Sequence, residues 1–219
     1  MPAFPHSGDR RARGEMLVAG FGALVLDVGG VLIEAPTREA RGAWERAHGL
    51  EQGRLDQILV EAIGPGWEGG RCEDEIEARL CAACEIDRSG LAGLLDALSA
   101  DERVCPEWRR ALDAISGRVS LALLTNSGPK TRTTLVARHR LERWFPVIVI
   151  SAEEGMSKPD PRIYRRTCER LGRAPAECLF VDDRLANVEG AEAAGLGAVR
   201  FVSSRETIPV VLERLGLRG

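Results

Sequence analysis

LVLDVGGVLIE, residues 24–34, is an apolar run broken by one acid, Asp27, and then by a glycine pair. Leu24, Val25, Leu26 and Val28 are apolar at successive positions, so the segment predicts a strand covered on both faces rather than a half-solvated alternating one. Such strands belong in parallel sheets, and Asp27 falls at the carboxyl end, where loops converge in open α/β folds. The glycines stand where many enzymes would place a second carboxylate.

Four further runs share this character: SLALLTNS (120–127), VIVIS (147–151), CLFVDD (178–183) and AVRFV (198–202). Between them lie the helical patterns KTRTTLVARHRL, PRIYRRTCERLG, LANVEGAEAAG and TIPVVLERLG. Alternating strands and helices predict the α/β class, with right-handed crossovers. From Ala35 to Gly117 the alternation stops. TREARGAWERAHG, GRLDQILVEAI, EDEIEARLCAAC, LAGLLDALS and PEWRRALDAIS are helical in pattern and show no convincing strand, so 35–117 is expected to be a helical subdomain inserted after the first strand. GPGWEGGRC (64–72) carries too many glycines for a helix and reads as a turn within it. The sheet core is then 16–34 plus 118–219, and polar, proline-containing residues 1–15 read as a disordered leader.

With 219 residues, 44% of them apolar, the chain can bury one good core, or a core and a smaller lid. Its 30 Lys/Arg are spread among 33 Asp/Glu rather than gathered in a stripe, which argues against nucleic acid as a partner. No apolar stretch approaches the roughly 18–20 residues that span a bilayer, so no membrane role is expected. Arg10, Arg11 and Arg13 before LVAGFGALVL imitate a signal peptide, but the run enters Asp27 without a small-residue cleavage site, and the expected location is cytoplasmic. Cys72, Cys81, Cys84, Cys105, Cys168 and Cys178 are scattered through predicted helices and strands, as free buried thiols would be. Cys81 and Cys84 lie on one helix face with no second pair at metal spacing, so a zinc site is not indicated.

The strand ends carry Asp27, then Thr125-Asn126-Ser127, then Lys158 before a helix, then Asp182-Asp183. Each has an ordinary reading as a turn or cap residue. Together they form a coherent set: converging carboxylates suit a hard cation such as Mg²⁺, which in turn favours phosphate. The Thr125 hydroxyl and the amides after it can donate to phosphoryl oxygens, Lys158 supplies positive charge, and Asp27 is placed to attack phosphorus, forming an aspartyl phosphate that water hydrolyses.

LVLDVGGVL, LALLTNSG, SKPDPRIY and FVDDRLANVEGAEAAG, in that order, resemble the four motifs of the haloacid dehalogenase superfamily, in its phosphatase-like branch with a helical cap of the subfamily IA type. The resemblance implies a Rossmann-like core and a hydrolase acting on a small phosphorylated metabolite, either a monoester such as a sugar phosphate or a diphosphate. It assigns Asp27 as nucleophile and magnesium ligand, with the Gly29 carbonyl as a second ligand. Thr125, Asn126, Ser127 and Lys158 take the phosphate, Lys158 also steadying Asp27. Asp183 holds the metal, and Asp182 helps as a neighbouring or water-mediated ligand. Asn187 has two readings, support for the metal shell or a surface position in a helix's first turn.

The departure is Gly29, where family phosphatases carry the aspartate that protonates the leaving oxygen and later activates water. Three readings compete: the leaving group departs unaided, as a diphosphate or acyl phosphate would, or brings its own proton; Glu34, Arg38, His48 or Glu68 replaces the acid; or phosphatase chemistry is lost, leaving a binding role, diphosphate ionisation or dehalogenation. Related dehalogenases carry tyrosine at that position and do without magnesium, whereas this chain retains Asp182-Asp183. Trp44, Trp67 and Trp108 could line a substrate pocket or simply pack the core. Arg41 and Arg71 read as surface residues, and His139 as a surface or capping residue near a helix end.

Overall fold

The computed structural model describes residues 20–35, 37–63 and 73–217. The leader and the 64–72 turn, with Trp67, Glu68, Arg71 and Cys72, lie outside the described residues.

Strand β1, Ala23–Leu26, is buried on both faces, as its unbroken apolar composition requires. Leu24 and Leu26 join one cluster and Ala23 and Val25 another, so the strand is the wall shared by two cores. The other sheet strands are β4 (Ser120–Thr125), β5 (Val147–Ile150), β6 (Cys178–Asp182) and β7 (Gly197–Arg200), separated from β1 in sequence by the short strands β2 (Ile33–Glu34) and β3 (Arg103–Val104). All five sheet strands are parallel, in the order β5-β4-β1-β6-β7. The chain runs outward from β1 to one side and then returns to the other, which makes β1 the switch point of the sheet. Leu26 pairs with Leu123 of β4 and Val181 of β6, so Asp27, Thr125 and Asp182 end neighbouring strands.

Helices α1 (Glu39–Ala47), α2 (Arg54–Ile63), α3 (Glu73–Ala83) and α4 (Arg88–Ser99) bury a cluster of their own around Trp44, Leu55, Ile58, Leu80 and Leu94. Buried Glu45 of α1 accepts from the amides of Gly53 and Leu55, and Asp87 accepts from Gly90, so the starts of α2 and α4 are capped. Helix α5, Pro106–Ile115, is different. Its Trp108, Leu112 and Ile115 pack with Leu24 and Leu26, on the sheet and not with the other inserted helices. Strands β2 and β3 pair antiparallel, and Cys105 N–H donates to Leu32 O (2.9 Å), so the chain enters and leaves α1–α4 through one narrow ribbon. The expectation of no strand between 35 and 117 is thereby corrected, since two residues are too few to leave a periodic signal.

The predicted helix over 130–141 is also broken. Thr133 and Thr134 hydroxyls both donate to Lys130 O, and Arg132–Val136 forms a π-helical turn. It continues only into α6, Ala137–His139, and ends at Arg140 in the left-handed conformation (φ 51°). The remaining helices are α7 (Ser151–Glu154), α8 (Pro161–Leu171), capped by Asp160, α9 (Leu185–Ala193) and α10 (Ser204–Arg214), capped by Ser203. Helices α8 and α9 cover the Ala23/Val25 face of the sheet, while α5 and α10 cover the Leu24/Leu26 face. No helix among the described residues is long and apolar enough to cross a membrane.

Trp108 is fully buried between α5 and the sheet. Trp108→Ala should lower unfolding stability by about 3–5 kcal/mol, seen as a shifted urea midpoint. Val60→Ala, on an exposed face of α2, should stay within about 0.5 kcal/mol of the parent.

Candidate active site

The loop after β1 is drawn tight because Val28 O accepts from both Leu32 N–H (3.0 Å) and Ile33 N–H (2.8 Å), while Gly30 N–H donates to Ile33 O (3.1 Å). Gly30 has φ +77°, and a Cβ there would lie 3.0 Å from Asp183 Oδ2. The positive φ favours glycine there, and a Cβ would press on the Asp183 carboxylate. The loop therefore presses directly against the acidic end of β6.

Asp27 and Lys158, 131 residues apart in sequence, meet in one buried pair: Lys158 Nζ lies 2.7 Å from Asp27 Oδ1 and 2.6 Å from Asp182 Oδ2. Lys158 is 1% exposed and Asp182 0%, so the pair must be held by its surroundings rather than by water. Asn126 supplies part of that hold. Its Nδ2 donates to Lys158 O (2.8 Å) and its Oδ1 accepts from Lys158 N–H (2.9 Å), a two-way clamp on the lysine's own peptide. Helix α9 closes in behind, where a Cβ on Gly190 would stand 2.6 Å from Pro159 O. The Lys158-Pro159 peptide is cis.

Asp182 has its acceptor capacity filled. Oδ1 takes Arg184 N–H (2.9 Å) and Asn187 Nδ2 (3.0 Å), and Oδ2 takes Lys158 Nζ and Asn187 Nδ2 (3.0 Å). Of the two readings of Asn187, the surface one is excluded: the residue is buried, its backbone carbonyl accepts from Tyr164 Oη (2.8 Å), and its side chain orients Asp182. Asp183 is more open and turns toward the Gly29-Gly30 loop. Asp27, Asp182 and Asp183 each offer an oxygen within 4.8 Å of the others.

Three carboxylates thus face one ammonium. Burial pushes the Asp27 carboxyl up to about 6 against the opposing pull of Lys158, and Asp182 adds to the rise. Burial, then Asp182, also raises Asp183. Both shifts express first the cost of burying a carboxylate and then the nearness of Asp182. An all-oxygen donor set with two formal negative charges in excess fits a divalent hard cation.

Thr125 ends β4 and is buried beside Asp27's strand. Ser127 is committed elsewhere: its N–H donates to Ser151 Oγ (2.9 Å), and its hydroxyl shares a hydrogen bond with Thr131 Oγ1 (2.5 Å). The structure brings together Asp27, Thr125, Lys158, Asp182 and Asp183, and puts the Asn126 and Ser127 side chains to work shaping the loop. Ser151 and Thr131, both buried, were missed from the sequence; a hydroxyl residue directly after an apolar strand was the only signal for Ser151, and Thr131 had none.

The substitute acids among the described residues are occupied. Glu34 pairs with Arg103 (2.9 Å) and Arg38 with Asp56, while His48 stacks on Trp44 (3.8 Å between centroids) and donates from Nδ1 to Trp44 O. Arg41 bonds Asp56 and Leu98 O, so it too ties the insertion together. Trp44 and Trp108 are core residues. His139 is half-buried, with Nε2 unpartnered among the described residues, and burial, then Arg138, depresses its pKa. Five described cysteines are free.

Breaking this network should be costly. Lys158→Met leaves Asp27 and Asp182 uncompensated and should destabilise the protein by about 3–5 kcal/mol. Adding Asp182→Asn should restore part of that loss, a non-additivity that denaturant titrations of the two single variants and the double variant measure directly.

A family model described as haloacid dehalogenase-like hydrolase matches residues 21–195. The chain is 28% identical to mouse acyl-CoA dehydrogenase family member 10 over 96% of its own length, and 32% identical to the sesquiterpene phosphatase astK of Aspergillus oryzae over 90% of this chain and 97% of that one. It spans only 20–40% of the length of the first curated relatives it matches. Among solved structures, L-2-haloacid dehalogenase from Xanthobacter autotrophicus with chloropropionic acid covalently bound superposes with a TM-score of 0.66 at 24% identity, covering 84% of this chain and 80% of that one, a likeness of fold. With a parallel sheet that gathers four motifs at one edge, and a family match spanning nearly all of it, the chain belongs to the haloacid dehalogenase-like hydrolases.

Proposed function

We propose that the protein is a Mg²⁺-dependent hydrolase of a small phosphorylated metabolite, a phosphate monoester or diphosphate, working through an aspartyl-phosphate intermediate. The observation that carries this reading is the buried Lys158 bridge between Asp27 and Asp182, with Asp183 alongside. A carbon–halogen substrate needs no cation, so three acids around one lysine favour phosphate. The near full-length similarity to a relative named as a phosphatase supports the same choice.

Asp27 is the nucleophile, steered by Lys158 at its Oδ1. The Thr125 hydroxyl donates to a phosphoryl oxygen, and Lys158 offsets its charge. Asp27, Asp183 and the Gly29 carbonyl would hold the cation, which when bound neutralises phosphoryl charge as a Lewis acid. Asp182, its lone pairs already taken, is a positioning residue for Lys158. Asn126 has the same role through the lysine's peptide. Helices α1–α4 form the cap over this edge, and α5 belongs with the sheet core. Movement of the cap would admit substrate and then exclude water.

Phosphate release measured with Mg²⁺ and with EDTA tests the proposal. Chelation should abolish turnover, and Asp27→Asn should lower kcat to the level of the buffer blank while the far-ultraviolet circular dichroism stays that of the parent. Unchanged turnover in Asp27→Asn would remove the nucleophile from this mechanism.

A further inference from the structure

Gly29 and Gly30 are adjacent but constrained differently. Gly30 is favoured by its positive φ and by the closeness of Asp183 Oδ2. Gly29 is exposed, has no such φ, and a Cβ built on it meets nothing within 4 Å. Neither backbone nor space excludes a side chain there, so the absence of an acid at this position is chemical and not steric. Among the described residues the alternatives do not replace it: Glu34, Arg38 and His48 are engaged with Arg103, Asp56 and Trp44, and both oxygens of Asp182 are taken by fixed donors.

We infer that Gly29 restricts the enzyme to phosphoryl donors whose leaving group departs as a stable anion, namely phosphoanhydrides, acyl phosphates and aryl or similarly activated phosphates, and that hydrolysis of the aspartyl phosphate limits turnover. This rests on the aspartyl-phosphate reading above. In the first step an Asp27 oxygen bonds to phosphorus while the bond from phosphorus to the leaving oxygen breaks. That oxygen takes the electron pair as an anion, and solvent protonates it afterwards. With no acid at position 29 to supply the proton in the transition state, the barrier tracks the basicity of the leaving group. In the second step a water oxygen bonds to phosphorus, the Asp27–phosphorus bond breaks with its electron pair returning to the carboxylate, and a water proton passes to solvent. No side chain at position 29 accepts that proton, so this step is slowed whichever substrate entered.

The two steps leave separate kinetic marks. For a good leaving group the first step outruns the second, the phosphoenzyme accumulates, and kcat becomes independent of the leaving group. For an alkyl phosphate the first step limits everything.

The test uses the Mg²⁺-loaded protein with para-nitrophenyl, phenyl and para-methoxyphenyl phosphate, acetyl phosphate and glycerol phosphate. kcat/KM should fall steeply with leaving-group basicity. Rapid mixing should give a burst of para-nitrophenol approaching one equivalent per site, and acid quench after labelled acetyl phosphate should leave label on Asp27. Gly29→Asp should raise turnover of glycerol phosphate by about 10²–10⁴-fold, flatten the dependence and remove the burst. Equal kcat/KM across the series in the parent protein, without a burst, would overturn the inference and leave the Asp27 nucleophile standing. Absence of both phosphate release and label on Asp27 with every substrate would overturn the parent reading along with it.

Discussion

An ammonium group with almost no access to water sits between two carboxylates at the switch point of a parallel sheet. Lys158 bonded to Asp27 and Asp182 is expensive to desolvate, and such a triad persists only where geometry and additional hydrogen bonds offset that cost. The surrounding structure supplies the offset from three directions: Asn126 clamps the lysine's peptide, Asn187 and the Arg184 amide fix Asp182, and Gly190 lets α9 close on Pro159. The price of this rigidity is that Asp182 has no lone pair to spare, which separates it in function from its neighbour Asp183. Two adjacent acids at one strand end thereby acquire different roles, one holding the lysine and one facing the glycine loop.

Topology explains why these groups meet. With β1 central, β4 and β6 flank it, and the parallel register ends all three strands at the same level. Asp27, Thr125 and Asp182 are then neighbours although about a hundred and fifty residues of chain separate the first from the last. Lys158 arrives from the connection between β5 and β6, entering just before α8, whose Asp160 cap and Pro161 fix where the helix begins. Trp108 and its partners on α5 close the opposite face of the sheet, so both walls behind the site are packed and the strand ends have little freedom to shift.

Much of this was legible in the sequence because the signals were local: five apolar runs, each ending in a polar group, lie in the right order, and caps such as Asp160 and Ser203 sit next to the helices they start. What was not legible depended on contacts across the fold. The 35–117 boundary placed α5 with the insertion because an amphipathic helix does not reveal which core it faces, and Trp108 faces the sheet. Asn126 and Ser127 read as phosphate ligands because they follow Thr125, yet their side chains answer to Lys158 and Thr131, and the partner of the Ser127 amide is Ser151. Asn187 could not be distinguished from a surface residue, since Tyr164 of another helix, the partner of its carbonyl, meets it only across the fold. The break in the helix over 130–141 came from threonine hydroxyls competing for the Lys130 carbonyl, an effect invisible to hydrophobic periodicity.

That broken helix also bears on how the insertion meets the core. Lys130, at the end of the loop that carries Thr125, pairs with Glu77 of α3 (3.0 Å), and Arg138 of α6 donates to Ser99 O at the end of α4 (3.2 Å). Both contacts run from the irregular segment after β4 to the inserted helices, whose own core is separate from those of the sheet. A partly exposed ion pair of this kind contributes about 0–1 kcal/mol, so parting the insertion from the core here breaks little. The covalent connection is equally slight, a ribbon of two paired residues on each strand, Ile33–Glu34 against Arg103–Val104. Among the described residues, each unit packs its own apolar cluster while these contacts between the two are polar and partly exposed, which is the arrangement that the cap movement proposed above requires. It concentrates tight packing at the strand ends, where buried Lys158 needs fixed partners.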